Sequence, residues 1–145
     1  LLLKPGREKS LLRRHPWVYS GAIAEVHGSA AKGSTLALRS SAGEFLAWAA
    51  YNQDSQIVAR VWSWDEHDII DSAFFRRKLN SAFEQRRVFL PELEAVRLFH
   101  AESDGLPGLV LDKYGSTIVA QILTAGVEFW RAELTTPSGN DYNYF

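Results

Sequence analysis

Residues 4–22 read KPGREKSLLRRHPWVYSGA, and this segment carries the clearest local signals of the chain. Residues 7–14 are predicted to form one or two helical turns. His15-Pro16 should end them, because a residue that precedes proline disfavours the helical region of backbone space. Residues 17–20 and 23–26 are then expected to be extended. A short helix is therefore predicted to lead into the first of several strands.

Further short strands follow in the first half of the chain, separated by turns that contain glycine. They are predicted at residues 35–38, 44–51 and 56–62, and the last of these alternates polar and apolar side chains. Such alternation is typical of a strand with one buried face. Several short strands at close spacing indicate a small β-barrel.

The pattern changes near residue 69, after an acidic connector at residues 63–70. Asp71 suits a helix N-cap, and Phe75, Leu79 and Phe83 follow helical spacing, which predicts a helix over residues 72–89. A strand at 95–99, a β-hairpin at 109–123 and a last helix beginning near Gly126 should follow. The fold class is therefore mixed α/β, a β domain followed by an α+β part.

The composition excludes several kinds of protein. The chain has 145 residues, 16 basic and 17 acidic, and it contains no cysteine. Disulfides, cysteine-based zinc sites, iron–sulfur clusters and thiol nucleophiles are therefore excluded within these residues. No stretch has the roughly 18 apolar residues of a membrane helix, and the start is unlike a secretory signal. These features predict a soluble, cytoplasmic protein without a membrane partner.

The basic residues are unevenly distributed, with five of them and one acidic residue in the first twenty positions. Such a cluster can attract phosphate even when the net charge is −1, because salt screens charges beyond about 8 Å. Trp17 and Tyr19 lie in the same segment and could stack on unpaired bases, which indicates RNA contact. The alternative is that both rings belong to the core. A second basic cluster at residues 76–87 is interpreted as the solvated face of a helix.

One segment resembles a catalytic pattern. His100, Glu102 and Asp104 could form a small metal-dependent hydrolytic site. The alternative, which we prefer, is that Glu102 and Asp104 stabilise the turn at residues 104–108. No nucleophile elbow and no glycine-rich nucleotide loop occurs in the sequence.

Four segments together resemble a known family. Residues 4–22 are similar to the opening of bacterial large-subunit ribosomal RNA cytosine-5 methyltransferases, and residues 51–62, 74–79 and 102–115 resemble later parts of the same proteins. The resemblance implies a PUA-like RNA-binding pseudo-barrel at residues 1–68 and a shortened α+β middle domain at 69–134. Residues 135–145 do not resemble the family. The implied partner is ribosomal RNA, and the residues expected to contact it are Lys4, Arg7, Lys9, Arg13, Arg14, His15 and Arg60.

The resemblance also implies what these residues do not do. The family's full-length enzymes use S-adenosylmethionine in a further domain, whereas no cofactor is expected in this chain. Their reaction needs a nucleophile at C6 of the pyrimidine, usually a thiolate, and no cysteine is present. The chain alone should be inactive. A stand-alone PUA-like module that binds RNA or protein remains the alternative. A homo-oligomer is also expected if shortening exposes apolar residues, namely Ile118, Ile122, Phe129 and Trp130.

Overall fold

The computed structural model describes residues 1–88 and 93–135. Two compact units are formed, the first by Leu1–Ile70 and the second by the chain from Asp71 onward. In the described residues, no helix combines the length and the apolar character that crossing a membrane requires.

The first unit is built from six strands and one short helix. Tyr19 at the end of β2 is connected to β3 by a 3-10 turn, Ser20–Ala22. The elements are β1 (Leu2–Leu3), α1 (Lys9–Leu12), β2 (Trp17–Tyr19), β3 (Ile23–Glu25), β4 (Thr35–Arg39), β5 (Phe45–Tyr51) and β6 (Ile57–Ser63).

These six strands form one sheet in the order β2-β6-β5-β4-β1-β3. Neighbouring strands are antiparallel except β1 and β4, which are parallel through the pairing of Leu2 with Arg39. The two end strands, β2 and β3, are separated by a single 3-10 turn in the sequence, so the sheet must curl until its ends approach each other. The predicted small β-barrel is confirmed in this curled form.

The core of the first unit lies inside the curled sheet. Small residues of β5 and β6, Ala47, Ala49 and Ala59, leave room for larger side chains from other elements. Leu11 is the buried residue of α1 and Val18 is the buried residue of β2. These two side chains therefore anchor the basic segment to the sheet.

Helix α1 ends in a backbone conformation that is unusual for arginine. Arg14 has φ = 62°. Its backbone N–H donates to the carbonyl of Leu11 at 2.8 Å, and the N–H of His15 donates to the carbonyl of Ser10 at 3.0 Å. This pattern is the Schellman motif, in which glycine usually occupies the left-handed position because other residues pay about 1 kcal/mol there.

The second unit combines a three-stranded antiparallel sheet, in the order β7-β8-β9, with helices. The predicted N-cap is confirmed, since the Asp71 carboxylate accepts a hydrogen bond from the Phe74 N–H at 2.8 Å. Phe75, Leu98 and Leu111 are among its buried side chains. The elements are α2 (Ser72–Arg86), β7 (Ala95–His100), a 3-10 turn (Ala101–Asp104), β8 (Leu109–Tyr114), β9 (Thr117–Ile122), α3 (Ala125–Phe129) and α4 (Arg131–Thr135).

Two expectations for this unit need correction. Helix α2 ends at Arg86, earlier than predicted, and residues 125–135 form two short helices instead of one. Of the four apolar residues expected at the surface, only Phe129 is exposed. Trp130 is half-buried because its ring packs 4.8 Å from that of Phe75. The exposed apolar residues of β9 and its end are instead Val119 and Leu123. The homo-oligomer stays a prediction.

One ion pair joins β7 to β8 across the sheet. Arg97 donates to both carboxylate oxygens of Asp112, at 2.8 and 3.0 Å. Asp112 is only 7% exposed. The hydrogen bonds from Arg97 hold the pKa of Asp112 below its ordinary value, against the opposing effect of burial. The charged pair therefore favours the folded state.

We expect Gly108→Ala to unfold or strongly destabilise the second unit. Gly108 has φ = 89°, and an added Cβ would lie 2.2 Å from Cγ2 of Thr124. Thr124 cannot give way without losing its hydrogen bond to the Pro107 carbonyl and its cap of α3. The loss should exceed about 3 kcal/mol in the free energy of unfolding. Amide hydrogen exchange of β8 and β9 measures it.

The matched control for this prediction is Gly115→Ala in the β8–β9 turn. Gly115 also has a positive φ, 57°, but nothing lies within 4 Å of an added Cβ. Only the backbone strain remains, so the loss should be about 1 kcal/mol. Equal losses for the two variants would contradict the proposed clash with Thr124.

The Arg97–Asp112 pair should make the second unit sensitive to acid. Because the folded pKa of Asp112 lies below its unfolded value of about 3.9, its contribution is fully present above that pH and is lost as pH falls through the folded pKa. Asp112→Asn should lower the free energy of unfolding at pH 7 by about 1 to 2 kcal/mol and flatten its dependence below pH 4. Urea unfolding between pH 2.5 and 7 measures both effects.

The control is Glu128→Gln, since Glu128 pairs with Arg131 at the surface with both side chains well exposed. This variant should change stability by less than about 0.5 kcal/mol. An Asp112→Asn variant with the wild-type acid profile would show that the pair contributes nothing specific.

Candidate nucleic-acid interface

A groove of about 350 Å³ lies between α1 and β2 in the first unit. Its floor follows from strand alternation, since Val18 points into the core while Trp17 and Tyr19 face the other way. The N-terminal loop and α1 provide the opposite wall with Arg7 and Lys9. We call this feature the α1–β2 groove, and it is lined by Gly6, Arg7, Lys9, Ser10, Trp17, Val18, Tyr19, Gly21 and Ala22.

Three of the predicted RNA-contacting cations meet at this groove. Arg7 and Lys9 are exposed lining residues. Lys4 reaches the rim, because its ammonium group donates to the Gly21 carbonyl at 3.0 Å. Among the described residues, no carboxylate lies within ion-pair distance of these three side chains. Their charge is therefore available to an anionic ligand.

Arg60 lies beside the groove on the neighbouring strand. It is directly opposite Trp17 in the β2–β6 pair, and directly opposite residues of an antiparallel pair project from the same face. Its guanidinium donates to the Ile57 carbonyl at 3.2 Å. Arg60 is half-buried, and its side chain is bonded to its own strand. Contact of Arg60 with RNA stays a prediction.

His15 supports the backbone at the start of β2. Its Nδ1 accepts a hydrogen bond from the Trp17 N–H at 3.3 Å, and its ring meets that of Trp17 edge-on at 5.6 Å. The ring remains exposed. His15 therefore holds Trp17 in place, whether or not it also touches a ligand.

The alternative interpretation placed both aromatic rings in the core of the barrel. The structure places neither Trp17 nor Tyr19 there. Tyr19 is 51% exposed. Trp17 is half-buried and lines the groove. The strand's alternation explains this, because Val18 takes the single inward position of β2. A flat ring surface thus lies next to unpaired cations.

Arg13 and Arg14 lie at the end of α1 and do not line the groove. Arg13 is exposed. Arg14 turns toward a residue that sequence reasoning missed, since its guanidinium carbon lies 5.0 Å from the ring centroid of Trp64. Fifty positions separate the two residues, and no periodicity or motif indicates that they meet.

The second basic cluster lies on α2, as predicted for the solvated face of an amphipathic helix. Phe74, Phe75 and Leu79 are the buried side, whereas Arg76 and Arg77 are exposed. Arg86 is not solvated like them, because it pairs with Asp104 at 2.7 Å. This cluster therefore has fewer unpaired charges than the first.

The hypothesis of a metal-dependent hydrolase at His100, Glu102 and Asp104 is wrong. In the described part of the chain, no three histidine or acidic residues are placed to hold a metal ion. Asp104 instead accepts hydrogen bonds from Arg86 and from the His100 backbone N–H at 2.6 Å. These bonds fix the 3-10 turn, which confirms the structural interpretation of Asp104.

No cradle for S-adenosylmethionine is found in the described residues. The sheets are antiparallel apart from the single bridge between β1 and β4, and no glycine-rich loop leads from a strand into a long helix.

Comparison with known proteins agrees with this architecture. The model of a PUA-like domain family matches residues 1–64. The curated protein Ribosomal RNA large subunit methyltransferase I from Erwinia tasmaniensis is 51% identical over 139 residues, which is 94% of this chain and 35% of that protein. The protein of the same name from Citrobacter koseri is 48% identical over 145 residues, or 98% of this chain and 36% of the relative.

Solved structures show the same fold at lower identity. A protein from Streptococcus mutans assigned as a SAM-dependent methyltransferase superposes with a TM-score of 0.78 at 21% identity, over 92% of this chain and 35% of that one. A second solved structure, assigned as a methyltransferase and complexed with SAH, gives a TM-score of 0.79 at 21% identity with the same coverage.

The chain spans about a third of the length of the curated relatives that it matches. At about half identity over nearly all of its residues, and with the PUA-like domain at its start, it matches the N-terminal part of the proteins named Ribosomal RNA large subunit methyltransferase I.

Proposed function

We propose that the first unit binds ribosomal RNA at the α1–β2 groove and delivers that RNA to the methyltransferase of which these residues form the N-terminal part. The observation that carries the proposal is the meeting of unpaired cations, Lys4, Arg7 and Lys9, with the outward rings of Trp17 and Tyr19. A cytoplasmic location is part of this proposal, because ribosomal RNA is its substrate.

The charges supply the affinity in this proposal. Each phosphate that Lys or Arg neutralises releases condensed counterions, so binding weakens as salt increases. Arg7 and Lys9 lie on the loop and helix that form one wall of the groove, and both are exposed. RNA can therefore approach them without displacing a protein partner.

The rings supply the preference for unpaired nucleotides. Bases in a duplex are stacked on one another, whereas those of loops and flanks can lie flat on an aromatic side chain. Tyr19 is the more accessible of the two rings, and Trp17 is fixed by His15 and by β6. The groove therefore fits a junction between duplex and single strand.

The resemblance of the chain to its relatives supports methylation of ribosomal RNA as the reaction of the longer protein. By name, the curated relatives methylate large-subunit ribosomal RNA, and the family resemblance indicates C5 of a cytosine with S-adenosylmethionine as methyl donor. The methyl donor and the thiolate that attacks C6 would act outside these residues, which contain no cysteine. The alternative is a stand-alone binding module. The sequence identity of 51% to part of a longer methyltransferase favours the proposal that these residues belong to such an enzyme.

We expect the chain to bind a fluorescein-labelled RNA hairpin with an unpaired flank, with an affinity that falls as potassium chloride increases. Arg7→Ala combined with Lys9→Ala should weaken binding by about tenfold or more at 0.15 M salt, because two phosphate contacts are lost. Fluorescence anisotropy titrations at several salt concentrations measure the dissociation constant and its salt dependence.

The matched control removes the same charge elsewhere. Arg76 and Arg77 are exposed on α2, and their double alanine variant should bind within about twofold of wild type. Binding that ignores salt, or equal losses for the two double variants, would contradict the placement of the interface.

Tyr19→Leu should test the aromatic contribution separately from charge. Tyr19 is half-exposed, so the substitution leaves the core intact. Loss of one base stack should weaken binding of the flanked hairpin by about 1 to 3 kcal/mol. A blunt-ended RNA duplex of two strands, which has no unpaired nucleotides, should bind the variant and the wild type equally. A loss of the same size for both RNAs would argue against stacking at Tyr19.

A further inference from the structure

Arg14 differs from the other cations of the basic segment in three respects. Its backbone is left-handed, with φ = 62°. Its guanidinium lies over the ring of Trp64, with its carbon 5.0 Å from the centroid. In the described residues, no oxygen accepts a hydrogen bond from its side chain. Each of these properties needs an explanation.

The backbone conformation does not explain why arginine is present. The two hydrogen bonds that close α1 use the backbone N–H groups of Arg14 and His15 only. Glycine could make the same bonds without strain, and it is the usual residue at this position of the motif. The fold therefore tolerates Arg14 at a cost, and the backbone of α1 gives no reason for an arginine at this position.

The Trp64 ring attracts the guanidinium of Arg14 and favours positions over its face. A cation over an indole ring is attracted to its face, which leaves the five N–H donors in the plane of the group. Trp64 is itself held, since it packs against the core of the first unit. The Trp64 ring thus restrains the Arg14 guanidinium, whose N–H donors have no acceptor among the described residues.

We propose that Arg14 is a preformed two-pronged ligand for a backbone phosphate of RNA and that Trp64 is the residue that positions it. A planar fork of N–H groups matches two phosphate oxygens, whereas a lysine ammonium offers only a point charge. This proposal rests on the RNA-binding function proposed above. It adds a geometric contact outside the α1–β2 groove, where Lys4, Arg7 and Lys9 act through charge.

The first test keeps the charge and removes the fork. Arg14→Lys should weaken binding of the flanked RNA hairpin by about fivefold, with an unchanged salt slope, because the number of neutralised phosphates stays the same. The control is Arg39→Lys, an exposed arginine of the same unit that is hydrogen-bonded to Gly43 and lies outside the proposed interface. That variant should bind like wild type.

The second test separates binding from stability. Arg14→Gly and Arg14→Ala both remove the contact, so both should lose about tenfold in affinity and reduce the salt slope by about 0.7 to 0.9. Arg14→Gly also relieves the left-handed strain, so its melting temperature should equal or exceed that of wild type. Arg14→Ala keeps the strain and should melt below Arg14→Gly.

The third test addresses Trp64. Trp64→Leu should weaken RNA binding when Arg14 is present and have no further effect in the Arg14→Gly chain, since the ring acts only through the guanidinium. If Trp64→Leu does not fold, Trp64→Phe serves instead, with a smaller effect of the same kind. Additive losses would show that the two residues act independently.

The outcomes also separate this proposal from the proposed function. Salt-dependent binding of wild type with equal affinity for Arg14→Lys would overturn the role of Arg14 while leaving RNA binding intact. No binding by wild type would overturn both. Inorganic phosphate should compete no better than potassium chloride of equal ionic strength, and stronger competition would assign the site to a free anion instead of RNA.

Discussion

Burial of Leu11 and Val18 in the core of the first unit positions the helix and the strand that form the α1–β2 groove. Leu11 fixes α1 on the sheet, and Val18 fixes the face that β2 presents. Once Val18 points inward, strand geometry requires Trp17 and Tyr19 to point outward. The apolar core of this small barrel therefore decides which rings and cations meet at the surface.

Local patterns in the sequence predict much of this arrangement. Alternation predicts the strands, the proline after His15 predicts the end of α1, and Asp71 predicts the start of α2. These features depend on neighbours within a few positions. The order of the strands does not, because β1 has only two residues and lies between β4 and β3 through pairings that no pattern indicates. The contact of Arg14 with Trp64 is missed for the same reason.

Basic side chains of this chain are used in two different ways. In the second unit, Arg97 and Arg86 are joined to the buried or half-buried carboxylates of Asp112 and Asp104. Removing such a partner leaves an uncompensated charge and costs stability. In the first unit, Arg7 and Lys9 have no such partner among the described residues, so their charges are not needed for folding. A cluster of arginines in the sequence does not reveal which of these uses applies, since only the tertiary partner distinguishes them.

The uneven distribution of charge would orient RNA on the first unit. The chain as a whole is nearly neutral, with a net charge of −1. Because screening limits each charge to about 8 Å, RNA responds to the local cluster and not to the total. A uniformly basic surface would bind RNA in many orientations, whereas a local cluster of cations favours the orientation that brings this cluster to the RNA.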